Sequence, residues 1–275
     1  KRVIHRPLVV VEKTINFDDK PVPMAGTTQD SIVNELAYMN NASGLKEENQ
    51  EKKTEKSDLL FLVLITILAV AVRLAVRTFV AEDWSVYWSD WLARLSEGGF
   101  RALADDFYDY APPVMYILYF ITLLPVNAMT AFKGLCCLLD FVGAALIGRM
   151  VTECSGSRKR GYLAYGVFLF LPTVILNAAV WSQCDIIYTL LILASVYYLM
   201  NNRTWRGMWF YGAAFAVKLQ TLFIFPFLVI LWVRKKVDLK HFITIPVILI
   251  AIVFVLYLAT FVPIFRNNAF TDDPE

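Results

Sequence analysis

Leu59 to Val80 reads LLFLVLITILAVAVRLAVRTFV. After Ala81 the chain continues from Glu82 to Pro113 as EDWSVYWSDWLARLSEGGFRALADDFYDYAPP. The first stretch is long and apolar enough to cross a bilayer as a helix, which takes about 20 residues. The second is neither apolar nor a simple linker. It carries acids at Glu82, Asp83, Asp90, Glu97, Asp105, Asp106 and Asp109, with aromatic residues interleaved from Trp84 to Tyr110. A span that opens directly into an acidic, ring-rich loop sets carboxylates at the level of lipid headgroups. That is a setting for chemistry on a polar group attached to a lipid.

Composition points the same way. Hydrophobic residues make up 58% of the chain, above the roughly 45–50% of soluble domains. The net charge is only +2, which gives nucleic-acid binding no electrostatic support. Cys136, Cys137, Cys154 and Cys184 show no CxxC spacing and read as small buried residues. His5 and His241 are too sparse for a metal cluster or a His-based triad, and no P-loop or dinucleotide fingerprint occurs.

Residues 1–57 differ in kind. They are polar, with the charge-dense run KEENQEKKTEK from Lys46 to Lys56, and read as a partly disordered cytoplasmic tail. Asn41-Ala42-Ser43 fits a glycosylation acceptor, a triplet common by chance. Beyond the first span, apolar segments run from Val114 to Thr130, Ala131 to Val151, Tyr162 to Ala179, Ile186 to Met200, Met208 to Val233 and Phe242 to Val262. The expectation is an all-α polytopic membrane protein with about seven segments. Residues 58–265 form the membrane module, and 266–275 form a loop or truncated end. A first residue Lys1 and an end at Glu275, soon after an apolar run, read as a piece of a longer protein.

Basic residues favour the cytoplasmic side. The lysine-rich tail and Arg234-Lys-Lys236 read as inside, so the loop after Val80 reads as outside. Ser157-Arg-Lys-Arg160 also belongs inside, yet two full spans between Val114 and Val151 would put it outside. Either one of those segments is short or re-entrant, or the charge rule fails here.

Several polar residues are placed for chemistry. Asp83 follows the first span and is positioned to act as a general base toward an acceptor hydroxyl; the alternative is a solvated loop acid. Asp90, seven residues on, falls near the same helical face. Trp84, Trp88 and Trp91 share a neighbouring face, which predicts an amphipathic helix lying flat in the interface and ending at Gly98-Gly99. Asp109 and Tyr110 precede a double proline suited to starting a helix. Asp109 is placed to cap that helix, to bind a sugar hydroxyl or to hold a metal.

Arg73 and Arg77, four apart, either face protein or phosphate or snorkel to the surface. Asp140 lies deep in an apolar segment. Trp181-Ser-Gln183-Cys-Asp185 combines a ring, an amide and a carboxylate, the side chains that contact carbohydrate, although belt anchoring also explains the Trp. Lys218 and Gln220 interrupt an apolar run. A lysine there calls for an anion, either a lipid-linked phosphate or one of Asp140 and Asp185.

Taken together, the first span, Glu82-Asp83, the aromatic helix and Tyr108-Asp-Tyr-Ala-Pro-Pro113 resemble the first external loop of GT-C fold glycosyltransferases. The pattern resembles dolichyl-phosphate-glucose transferases of the Alg6/Alg8 type and bacterial Gpi18-related mannosyltransferase-like proteins. Trp181 to Asp185 and Lys218 to Gln220 look like the WxQxD and KxQ stretches of those bacterial relatives, and Asp140 like the acid of their third segment. The resemblance covers residues 58–265. It implies an inverting hexosyltransferase that uses a polyprenyl-phosphate sugar at the outer face of a bacterial or endoplasmic-reticulum membrane. By position it implies Asp83 as base and Lys218, Arg73 or Arg77 as cations for the donor phosphate. It further implies a glycan, lipid or protein acceptor, no nucleic acid and no required metal or other cofactor. GT-C enzymes usually have more spans than this chain shows. The rival readings are a polytopic transporter or flippase and a non-catalytic membrane scaffold.

Overall fold

The computed structural model describes residues 56–268 apart from Asp106. The predicted tail, its Asn41 triplet and residues 269–275 lie outside the described residues, save Lys56 and Ser57. Among the described residues the regular structure is helical throughout. Helix α1 spans Lys56–Val76 and ends short of the predicted Val80. Two carbonyls of the turn that follows it are taken by Lys133, whose ammonium donates to Arg77 O at 3.1 Å and Phe79 O at 2.6 Å. A cation there, just past the helix C-terminus, also suits the helix dipole.

The chain then makes a π-helical turn, Trp84–Trp88, and helix α2, Ser89–Gly98. Gly99 stops α2 at φ 61°, a left-handed value that suits glycine. Helix α3, Pro112–Thr122, starts on the double proline. At 1.5 Å per residue its 11 residues reach only about 16 Å. The predicted span Val114–Thr130 is therefore too short to cross. Helix α4, Ala128–Ser155, is capped by Asn127, whose side chain accepts from Thr130 N, and ends at Gly156.

Helix α5 (Arg158–Phe170) meets Pro172 and bends by 53° into α6 (Pro172–Ile175) and a second π-helical turn, Leu176–Val180. Helix α7 spans Asp185–Met200 and α8 spans Thr204–Val217. The predicted segment Met208–Val233 breaks at Lys218, whose backbone is extended. A 3₁₀ turn, Leu219–Ile224, and α9 (Phe225–Val233) run back. After a last 3₁₀ turn, Leu239–Ile243, helix α10 covers Thr244–Asn268. Three helices are long and apolar enough to cross a membrane: α1, α4 and the stretch Leu239–Leu256. The bent pair α5–α6 would make a fourth.

Side-chain contacts sort the helix ends. Asp83 meets Gln183, Lys218 meets Asp185, and Lys133 meets the end of α1. The C-terminal ends of α1, α6 and α8 and the N-terminal ends of α4 and α7 therefore share one end of the bundle. The turns after α4 and α7 fall at the other end, and Val237 joins them by packing with Met208. Lys56, Arg158 to Arg160, Arg203, Arg206 and Arg234 to Lys236 then all lie opposite Asp83. The short α3 removes the conflict in the charge rule, because only one helix separates Asp83's end from the Arg158 turn.

One sequence expectation is corrected. Trp84, Trp88 and Trp91 do not face lipid from a flat helix. All three are buried and pack with Phe132 of α4, Val114 and Leu118 of α3, and Tyr110. The loop helix does lie over apolar surface, but that surface is the protein's own. Burying three indoles against it gains more than leaving them half wet. The outer face of α2 carries Asp90, Arg94 and Glu97.

Deeper in the bundle, Arg73 of α1 is 4% exposed and pairs with Asp140 of α4, 2% exposed, at 3.1 Å. Its guanidinium also donates to Ala69 O and Leu169 O and lies over the Phe141 ring. One ion pair thus clamps α1, α4 and α5. Removing one partner of a buried pair leaves a stranded charge, whereas apolar replacement of both is often tolerated. Asp140→Ala should therefore destabilise the protein by about 3–5 kcal/mol. The double variant Arg73→Met/Asp140→Leu should recover most of that in detergent unfolding curves. For topology, Ser157→Cys and Asn201→Cys should label with an impermeant thiol reagent from one side of the membrane, and Ser89→Cys from the other.

Candidate active site

The breaks in α1, α6 and α8 all open at one end, and their polar residues meet there. Asp83 is exposed on the first loop and lines a cavity of about 380 Å³ with Phe79, Glu82, Trp181 and Gln183. Gln183 Nε2 donates to Asp83 Oδ2 at 2.7 Å. An ionised carboxylate only accepts, so the amide nitrogen has to face it. That leaves Gln183 Oε1 to accept from the Tyr110 hydroxyl at 3.3 Å. Burial, opposed in part by Lys218, pushes the Tyr110 phenol up to about 12. It stays a neutral donor at physiological pH. Among the described residues Asp83 Oδ1 has no hydrogen bond and is left for an incoming group.

The network continues behind Tyr110. The Lys218 ammonium lies over the rings of Tyr110 (5.3 Å) and Tyr188 (5.8 Å) and forms a close ion pair with Asp185. Asp185 also accepts from Asn177 Nδ2 at 3.0 Å and sits in the first turn of α7, where the helix dipole favours an anion. An ammonium held by two ring faces and a carboxylate retains its charge in a half-buried place.

The segment between the π-helical turn and α7 is shaped for this contact. Trp181 is about half exposed, at 48%, and presents its ring to the cavity. Ser182 takes a left-handed backbone, φ 59°, which costs a non-glycine residue about 1–2 kcal/mol. Gln183 N bonds back to Asn177 O at 2.8 Å. This kink turns Gln183 toward Asp83 while Cys184 points inward and is buried. Local strain of this kind collects at functional sites.

Of the residues singled out from sequence, Asp83, Tyr110, Trp181, Gln183, Asp185 and Lys218 come together. Asp90 is exposed on α2 and pairs with Arg94 at 3.0 Å. Asp109 is exposed, and α3 begins after Ala111 with no side-chain cap, so Asp109 is not its cap. Gln220 is exposed on the turn after Lys218. Arg73 belongs to the buried pair with Asp140. Of the anions weighed for Lys218, Asp185 is its partner, and Asp140 is held by Arg73. Sequence reading missed Asn177 and Tyr188. A lone amide in an apolar run was the available signal for Asn177; Tyr188 offered none among so many aromatic residues.

With this arrangement in view, residues 107–272 match the model of glycosyltransferase family 87. The match takes in more than half of the chain, and the chain belongs to that family. The matched stretch contains Tyr110, Trp181, Gln183, Asp185 and Lys218 and begins after Asp83. The match carries the glycosyltransferase reading and not the particular Alg6/Alg8-type or Gpi18-related kinship. No match is found among curated proteins or solved structures.

Among the described residues Gln183 alone bonds the Asp83 carboxylate from the α6–α7 segment. Gln183→Leu keeps the bulk and removes both bonds. It should lower turnover about tenfold or more, as loss of a hydrogen bond to a charged group does. Thermal unfolding of the same variant should shift little, because Asp83 is solvated once released.

Proposed function

We propose that the chain is a multi-pass transferase that moves a hexose from a polyprenyl-phosphate-linked donor to an acceptor hydroxyl at the outer membrane face, with inversion. The observation that carries this reading is the chain of contacts that runs from Asp83, at its cavity, through Gln183 to Tyr110 and on to the Lys218–Asp185 pair, in a member of glycosyltransferase family 87. The GT-C resemblance of the first loop supports the lipid-linked donor.

In this reading Asp83 begins to take the acceptor proton as the hydroxyl oxygen attacks the anomeric carbon. The bond from that carbon to the phosphate oxygen breaks with its electron pair, and the carrier leaves as an anion. One displacement inverts the carbon and needs no covalent enzyme intermediate. Lys218 contributes positive potential toward the departing phosphate. Asp185 and Asn177 hold Lys218, and Gln183 and Tyr110 hold Asp83. Trp181 offers a ring face to the sugar. Asp90, Asp109 and Gln220, exposed on the same end, are placed for polar contacts with acceptor or donor. No metal takes part in this scheme. The membrane is the bacterial cell membrane, or the endoplasmic reticulum in a eukaryote.

The test is transfer of labelled hexose from polyprenyl-phosphate donors to a crude acceptor pool by the full-length protein. Asp83→Asn should lower turnover about 10²–10⁴-fold with KM little changed. Equal transfer by both proteins would remove Asp83 from the role of base. Absence of transfer by either across several donors would point to a transporter or scaffold.

A further inference from the structure

A cavity of about 460 Å³ opens between α1, α4 and α5 at the end of the bundle opposite Asp83. Its volume falls within the roughly 300–1,000 Å³ of ligand sites. Arg149, in its lining, stands about 24 Å along α4 from Lys133, the residue that touches the turn after α1. The cavity is therefore separate from the candidate active site.

The packing around it explains why the space exists. Helix α1 meets α5 at its middle, where the Thr66 and Tyr165 hydroxyls share a hydrogen bond at 3.0 Å. Ile65 is so close to Gly166 there that a Cβ on the glycine would sit 2.3 Å from Ile65 Cδ1. Helices α4 and α5 touch at Gly148 and Gly161, where a Cβ on Gly161 would come within 2.6 Å of Gly148 O. Neither glycine has a side chain to fill the space beside that crossing, and exposed Ala145 offers only a methyl group. Leu62 supplies the α1 wall. The result is an apolar slot between helices.

The charged groups of the lining are two guanidiniums, Arg149 and Arg158, and one carboxylate, Glu153. Glu153 Oε1 already accepts from Arg149 Nε at 2.8 Å and from the Tyr197 hydroxyl at 3.2 Å. The Arg149 guanidinium also lies over the Tyr197 ring, 5.3 Å from its centre. Because the bond to Glu153 uses Nε, the two terminal nitrogens of Arg149 have no partner among the described residues. A guanidinium fixed in this way presents a two-pronged donor edge that suits a phosphate. With Arg158 in the same lining, the formal balance is one positive charge in excess.

We infer that this slot binds an anionic phospholipid of the adjoining leaflet. Its phosphodiester rests on Arg149 and Arg158, and one acyl chain lies along Leu62, Ala145 and the two glycines. The basic turns gather at this end, and basic turns favour the cytoplasmic face. The leaflet on that face is rich in anionic lipids, and basic pockets between helices there take up their headgroups. Charge selects the class: one negative charge balances the lining, whereas a zwitterionic headgroup adds an amine next to a carboxylate that is already bonded twice. The lipid joins α1 to α4 and α5 beyond the point where their direct contacts end. No step of the proposed sugar transfer depends on it.

Binding is tested with the full chain, delipidated in detergent, and dioleoylphosphatidylglycerol as the probe. Native mass spectrometry measures lipid retention, and thermal unfolding measures its effect. Phosphatidylglycerol should be held at least fivefold more tightly than phosphatidylcholine or phosphatidylethanolamine with the same chains, and it should raise the unfolding temperature. Arg149→Gln and Arg158→Gln, both at exposed positions, should each weaken it about fivefold. Ala145→Phe should abolish binding by filling the slot, and without lipid it should unfold at the wild-type temperature. Equal retention by wild type and the double variant Arg149→Gln/Arg158→Gln would overturn the site, even if Ala145→Phe failed to fold. Retention by a folded Ala145→Phe protein would overturn it as well. Phosphatidylethanolamine held as tightly would overturn the anionic assignment. Glycerol 3-phosphate raising the unfolding temperature as far would overturn the need for an acyl chain.

Discussion

Inside an apolar layer a helix has to satisfy its own backbone, so wherever a helix stops the chain exposes polar groups that need a partner. This protein places its main stops at one end. Helix α1 ends at Val76, the α5–α6 pair ends in a π-helical turn before Trp181, and α8 ends at Lys218. Polar groups beyond each stop find partners: the Lys133 ammonium donates to Arg77 O and Phe79 O, the Tyr211 hydroxyl to Thr221 O after the Lys218 break, and Gln183 N to the backbone carbonyl of Asn177. The same breaks free Asp83, Gln183 and Lys218 from helical register and let them meet. Two π-helical turns flank the meeting point, where an extra residue per turn re-aims the side chains that follow.

Charge placement follows from the same geometry. The deep pair, Arg73 with Asp140, is buried, and its yield is fixed helix positions rather than net stability. The pair near the surface, Lys218 with Asp185, is only partly covered and keeps two aromatic faces against its cation. Asp83 differs from both, since its described partner is a neutral amide. The amide orients the carboxylate without bringing a second charge to it.

The sequence made the helical class and most helices legible, because apolar runs bounded by prolines, glycines and charges carry that information locally. It also pointed to six of the residues that converge: Gln183, Asp185 and Lys218 because a charge or amide beside apolar runs is conspicuous, and Asp83, Tyr110 and Trp181 by their places at a span end, a double proline and a polar break. Three things were not legible. The orientation of the tryptophan face depended on whether lipid or protein lay beneath α2, and period alone does not distinguish them. The length of α3 turned on Leu123 to Val126, where Pro125 ends the helix inside a run that hydropathy alone reads as continuous. The partner choice among Arg73, Lys218, Asp140 and Asp185 depended on which helices are neighbours, and four charges allow two pairings.

That pairing decides how the candidate site divides its work. Were Lys218 paired with Asp140, the cation would be drawn into the bundle, away from Asp83. Because Arg73 takes Asp140, Lys218 is left to Asp185 at the start of α7. There Asn177 and the helix dipole also steady the carboxylate. Lys218 then lies against Tyr110, whose hydroxyl reaches Gln183 and, through it, Asp83. A buried ion pair thus leaves Lys218 free to stand near Asp83, at the one end of the bundle where carboxylate and cation are joined through Gln183 and Tyr110.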